Sequence, residues 1–115
     1  MKKGISIRLT GHNPRKTARA LCARLTELNR HTQLADDAFI ERLGSIHTAG
    51  LVSGLLSKNG VIVVVSEEDL VPEGEALETE ISANDTPEFA AEKILDQLSE
   101  RGLVDLDEPD YSPEE

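Results

Sequence analysis

The stretch Asn59-Gly60-Val61-Ile62-Val63-Val64-Val65 decides the fold. Its last five residues are apolar and β-branched, with no polar position to turn toward water. A strand with one solvated face alternates apolar and polar side chains. An unbroken run reads instead as a strand buried on both faces, the situation of a parallel sheet. Asn59-Gly60 closes the element before it, because Gly accepts the left-handed backbone at a helix C-terminus.

Working upstream, Phe39, Ile40, Leu43, Ile46, Gly50, Leu51/Val52 and Leu55/Leu56 keep three- and four-residue spacing, which predicts one long helix reaching about Ser57. Asp36 or Asp37 is placed to cap it. Thr32 to Ala35 is short and weakly strand-like. From Arg15 to Asn29, Ala18, Leu21, Cys22, Leu25 and Leu28 form the apolar stripe of an amphipathic helix, with Arg15, Arg19 and Arg24 mostly off it. Before that, Ile5, Ile7 and Leu9 alternate with Ser6 and Arg8, the period of a strand over Gly4 to Thr10. Downstream, Ser66 to Gly74 reads as a loop and Glu75 to Ile81 as a weaker strand. A last helix begins at Asp85 or Thr86 with Pro87 at its first position, and carries Phe89, Ala90, Ile94, Leu95 and Leu98 as far as Gly102. Residues 105–115 hold six acids and two prolines and read as a disordered acidic tail.

Strands alternating with helices imply an α/β domain: a small, mostly parallel sheet of three to four strands flanked by helices in three layers, over residues 1–104. Ligands of such sheets bind beyond the carboxyl ends of the strands. The loops to inspect are therefore Gly11–Lys16, Ala35–Asp37 and Ser66–Asp69.

Composition narrows the partners. The 115 residues carry 12 Lys+Arg against 22 Asp+Glu, a net charge of −10. That balance argues against nucleic acid and anionic membrane. The charge is split: residues 1–60 are net +6 and residues 61–115 net −16. With 3% aromatic residues and no Trp, base-stacking platforms are not expected. Cys22 is the only cysteine, which excludes an internal disulfide and a thiolate metal cluster. No apolar run has the length of a signal or transmembrane segment, so the expected location is the cytoplasm.

Between the first strand and the first helix stands Gly11-His12-Asn13-Pro14-Arg15-Lys16-Thr17. A phosphate-binding loop belongs here. Its pattern, G-x-x-x-x-G-K-[ST], wraps a phosphate in backbone N–H groups, reaches the terminal phosphates with Lys and binds Mg²⁺ through the hydroxyl. Gly11, Lys16 and Thr17 stand in the right order, but the loop is one residue short and lacks the Gly before the Lys. Pro14 removes an N–H donor, and Arg15 does not readily take the positive φ open to Gly. A β-phosphate could not be enclosed in the usual way, though Lys16 and a helix N-terminus could attract an anion more weakly.

These residues give the chain a resemblance to the adenylylsulfate kinase family, P-loop enzymes that phosphorylate adenylylsulfate with ATP. Thr10-Gly11 and Lys16-Thr17-Ala18-Arg19-Ala20-Leu21 resemble the family's T-G-x-x-G-x-G-K-[ST] and the helix after it. Leu34-Ala35-Asp36-Asp37 resembles its L-D-G-D, and Gly60 to Val65 its G-V-I-V-I-V. Pro87 to Leu103 resembles its closing helix. The resemblance implies a P-loop kinase fold, with Gly11, Lys16 and Thr17 at the nucleotide phosphates and Thr17 on Mg²⁺ through the nucleotide. It further implies Asp37, at the position of the family's second aspartate, as the catalytic residue, with Asp36 as the alternative.

The departures from the family are as informative. The insert that contacts the sulfonucleotide is reduced to Ala38-Phe39-Ile40-Glu41-Arg42-Leu43, and the lid with the strand before it is missing. The family's A-x-I-S-P-Y is replaced by Ser66-Glu67-Glu68-Asp69, acids that are expected to stand uncompensated where a polyanionic nucleotide would sit. The expectation is a degenerate, non-catalytic relative that acts by association, with a second copy of itself or with a sulfate-assimilation protein. The alternative is a module that still binds ATP and Mg²⁺, with or without residual transfer of phosphate to adenylylsulfate.

Other side chains carry plainer expectations. Asp36, Asp37, Glu67, Glu68 and Asp69 could together hold a hard cation, but read better as helix caps and a solvated loop. His12 belongs to a solvated loop, His31 to a helix C-terminus, and His47 to a partly buried helical position. No His/Cys spacing suits zinc. Cys22 is expected to be buried. Gly44, Gly50 and Gly54 would let the long helix approach the sheet closely, or else a subunit.

Overall fold

The computed structural model describes residues 3–106. The order of elements is β1 (Ile5–Gly11), α1 (Pro14–Glu27), β2 (Thr32–Ala35), α2 (Asp37–Leu43), α3 (Ile46–Lys58), β3 (Ile62–Val65), β4 (Ala76–Ile81) and α4 (Pro87–Glu100). The four strands form one parallel sheet in the order β2-β3-β1-β4. This is the α/β architecture expected, with the strand over Glu75–Ile81 fully paired to β1, Ser6 opposite Ala76 through Gly11 opposite Ile81.

Two apolar layers hold the sheet between helices. Ile5, Ile7 and Leu9 of β1, with Ile62 and Val64 of β3, pack against Leu21 and Leu25 of α1 and Ile94, Leu95 and Leu98 of α4. On the other face Val63 and Val65 meet Phe39, Ala49 and Leu70. The alternate side chains of β3 thus go to opposite layers, and all four residues are buried. This is why the strand has no polar position. Arg24 of α1 ties the two helices of the first layer through Glu92, at 2.7 Å.

One expectation is corrected. The long helix is two helices. Gly44 takes φ +90° and closes α2, and Ser45 caps α3 by accepting from the Thr48 N–H at 3.1 Å. The hydrophobic period runs through the break because the chain re-enters a helix almost in phase. A second difference lies in the loop between β3 and β4. It crosses α3 and contributes the fully buried Leu70, and the Glu73 N–H donates to the Gly50 carbonyl at 3.0 Å. Gly50 and Gly54 exist for this crossing. A Cβ on Gly50 would lie 2.4 Å from the Val71 carbonyl oxygen, and one on Gly54 2.7 Å from that of Glu73. The glycines therefore pack within the domain. His47, expected to be partly buried, is exposed.

Arg30, 5% exposed, gathers three segments at the amino ends of the strands. Its guanidinium donates to the carbonyls of Leu103, Lys3 and Gly60. Leu103 and Val104 are buried and Leu106 packs against the same core. Residues 107–115, most of the segment expected to form an acidic tail, lie outside the described residues.

Candidate functional site

The strand order locates the site. From β1 the chain leads past β3 to β2, and from β3 it leads the other way, past β1 to β4. The two exits diverge between neighbouring parallel strands, so a crevice opens between the carboxyl ends of β1 and β3. The three loops singled out in the sequence all reach this end. An open pocket of about 560 Å³ here is lined by Thr10, Gly11, Pro14, Ser66, Glu68 and Glu80.

The turn after β1 is built from two left-handed residues. Gly11 has φ +90°, and its missing Cβ leaves room for the Ile81 carbonyl oxygen, which a Cβ would approach to 2.5 Å. The His12 N–H donates to the same carbonyl at 3.0 Å. Asn13 has φ 54°, which Asn tolerates better than most side chains. Pro14 then starts α1, one residue earlier than the spacing predicted. The positive φ falls on Asn13, and Arg15 is an ordinary helical residue. Asn13 makes no side-chain cap, and Pro14 has no N–H to offer, so the first-turn donors facing the crevice begin at Arg15.

Charge fills the mouth of the crevice. Arg15 Nε donates to Glu67 Oε2 at 3.1 Å, and its Nη2 lies 3.4 Å from Asp37 Oδ2. Ser66 Oγ also donates to Glu67 Oε2, at 3.2 Å. The hydrogen bond and charge of Glu67, and the charge of Asp37, raise the Arg15 pKa further, so this cation is permanent. Glu67 was expected to be uncompensated; it is paired, and the correction comes from a residue of the phosphate-loop position itself. Beside it, Arg8 pairs with Glu78 at 2.9 Å and donates to the Glu68 carbonyl at 2.9 Å.

The predicted site residues are brought together unevenly. Of them, Gly11 and Asp37 come to the crevice, where Arg15 and Glu67, not predicted as site residues, join Asp37. Asp36 is spent as the α2 cap, accepting from the Phe39 N–H at 3.0 Å, which leaves Asp37 as the aspartate that reaches Arg15. Lys16 is exposed and makes no ion pair among the described residues. Thr17, in the first turns of α1, is 1% exposed. No group of three or more His, Cys, Asp or Glu that could hold a metal occurs among the described residues. Cys22 is half-buried, and burial pushes its thiol up to about 11. The roles of Arg8 and Arg15 were not read from the sequence. The signal is only that each carries a charge toward an acidic loop more than fifty positions away, and pairing at that separation is a tertiary fact.

Comparison with known proteins bears on the fold. No family model and no curated protein sequence matches the chain. Among solved structures, a mutant of the APS kinase CysC of Mycobacterium tuberculosis superposes with a TM-score of 0.69 at 14% identity, covering 84% of this chain and 99% of that one. The protein APE1195 superposes with a TM-score of 0.55 at 21% identity, covering 90% of this chain and 73% of that one. The fold is P-loop kinase-like. No helix among the described residues is long and apolar enough to cross a membrane.

Proposed function

We propose that this chain is a non-catalytic, APS-kinase-like domain that acts through protein association, in the setting of sulfate assimilation. The observation that carries the reading is the ion-paired mouth of the crevice. Phosphoryl transfer depends on positioning and on preorganised charge at the transferring oxygens. At the position before Lys16, where a nucleotide-binding loop presents a bare glycine backbone, this chain places Arg15 and engages it with Glu67 and Asp37. Pro14 supplies no N–H to the loop. Without that glycine backbone the turn offers few donors to enclose a β-phosphate, and the Asp37 carboxylate lies 3.4 Å from the Arg15 guanidinium.

A second reading has one observation in its favour. Lys16 lies exposed at the first turn of α1 with no ion pair among the described residues, beside the open pocket. A module that binds nucleotide through Gly11, Lys16 and Thr17 would use it. Calorimetric titration with ATP, with adenylylsulfate and with its 3′-phosphorylated product, each with Mg²⁺, separates the two. The expected result is no saturable heat from any of them and no transfer of labelled phosphate to adenylylsulfate. Saturable binding of ATP that Lys16→Ala abolishes would overturn the proposal in favour of the nucleotide-binding module.

A further inference from the structure

An edge strand turns the backbone N–H and C=O of every second residue away from the sheet, where nothing in the sheet can pair with them. The two edges of this sheet differ. β2 has four residues, and its Gln33 side-chain amide donates to the Leu34 carbonyl at 2.9 Å. The Ser66 N–H donates to the Ala35 carbonyl, so Ala35 faces β3 and the Leu34 carbonyl faces outward. Gln33 thus blunts that edge. β4 has six residues and no such cover among the described residues. The His12 N–H donates to the Ile81 carbonyl at 3.0 Å, so Ile81 faces β1. Direction alternates along a strand, so Leu77 and Thr79 face β1 as well, and Ala76, Glu78 and Glu80 present their backbone groups outward. No other described segment supplies these outward groups with a partner.

We propose that the outer edge of β4 takes an extended segment of a partner protein as a fifth strand, one whose side chains alternate basic and apolar. In such an addition main-chain hydrogen bonds supply affinity, and alternate side chains supply specificity. Both faces of the edge state what they need. Glu78 and Glu80 are exposed on the crevice face, Glu78 beside Arg8 and Glu80 lining the crevice pocket with Glu68. Glu68 and Glu80 make no ion pair among the described residues. Lys or Arg at alternate positions of the added strand falls beside these acids. On the opposite face Leu77 is half-buried against the layer of α1 and α4, and an apolar side chain beside it extends that layer. Opposite charges on neighbouring strands attract and like charges repel. The same rule disfavours this chain as its own occupant. A second copy paired edge to edge would set acids against acids, and residues 105–115, with six acids, would repeat the repulsion. The inference rests on the association part of the reading above and not on the state of the phosphate loop.

A synthetic Lys-Val repeat of about six residues, the length of a typical strand, tests it by calorimetric titration and by amide hydrogen exchange read residue by residue. In the free chain the Glu78 and Glu80 amides should exchange faster than that of Thr79, which is bonded to β1. Saturating Lys-Val peptide should slow Glu78 and Glu80 about tenfold or more, and a Glu-Val repeat should give neither heat nor protection. Glu80→Lys, a change at an exposed position, should leave the melting curve intact and weaken Lys-Val binding about tenfold. Absence of saturable Lys-Val binding overturns the proposal. So does binding that leaves the Glu78 and Glu80 amides unprotected, which is adsorption by charge, and so does equal binding of the Glu-Val repeat. Protection of these amides that grows with chain concentration alone assigns the edge to a second copy and overturns it too. Nucleotide titration is read separately: ATP binding by a chain that also takes the peptide would overturn the reading of the loop and leave this one standing, and a chain silent to both would do the reverse.

Discussion

Ser6 sits in the middle of β1 with no exposed surface, and its hydroxyl has no hydrogen-bond partner. The alternation Ile5, Ile7, Leu9 against Ser6 and Arg8 reads as a strand with one wet face. In the structure α3 packs against β1 instead, and the face at Ser6 is dry. A buried hydroxyl without a partner costs the desolvation of its oxygen and returns nothing. Ser6→Ala should therefore raise stability, by about 1 kcal/mol, in urea unfolding; a measurable loss would mean that the hydroxyl has a partner in solution. Asn13 teaches the same point from the other side. The missing glycine of the phosphate loop was legible in the sequence, but where the positive φ would go instead was not. The chain puts it on Asn13 and frees Arg15 to become a helical residue whose side chain crosses the crevice to Glu67.

At the scale of elements, the division of α2 from α3 was written in Gly44-Ser45, a helix-ending glycine followed by a helix-capping serine. Hydrophobic spacing that continues in phase across the pair hides it, because period alone cannot register a one-residue left-handed turn. Gly50 carries the prediction at this scale. In an exposed helix, replacing Gly by Ala gains about 1 kcal/mol through backbone entropy. Here the new methyl would lie 2.4 Å from the Val71 carbonyl oxygen, and the obstacle is backbone. Gly50→Ala should lower stability by about 2 kcal/mol, as overpacking does, and should loosen the loop that carries Leu70. Equal or greater stability in urea unfolding would show that the loop yields freely.

Over the whole molecule, charge is the term that conditions change most easily. Residues 61–115 are net −16, and many of their acids lie on β4, α4 and the loop after β3. Several ion pairs relieve this locally, among them Arg8–Glu78, Arg15–Glu67 and Arg24–Glu92, but all have an exposed or half-exposed partner and each is worth little. Self-repulsion summed over the acidic half outweighs them. Raising ionic strength from a few millimolar to about 0.15 M, where screening acts beyond ~8 Å, should therefore raise the Tm. A falling Tm would mean that the local pairs dominate.

The sequence by itself determined the α/β class, the strand buried on both faces and the helix around Cys22, and narrowed the helix caps to Asp36 or Asp37 and to Asp85 or Thr86. These depend on local periodicity and on backbone chemistry that a few neighbouring residues settle. It also placed the three loops that meet at the crevice, because parallel strands joined by helices send their carboxyl ends to one side. Only the tertiary structure decided that Arg15 neutralises Glu67, that Ser6 is dry, that Gly50 and Gly54 serve a crossing loop, and that four apolar side chains remain uncovered on α3 and that loop. Each of these joins residues far apart in the chain, and contacts of that kind are fixed by how the layers close over one another.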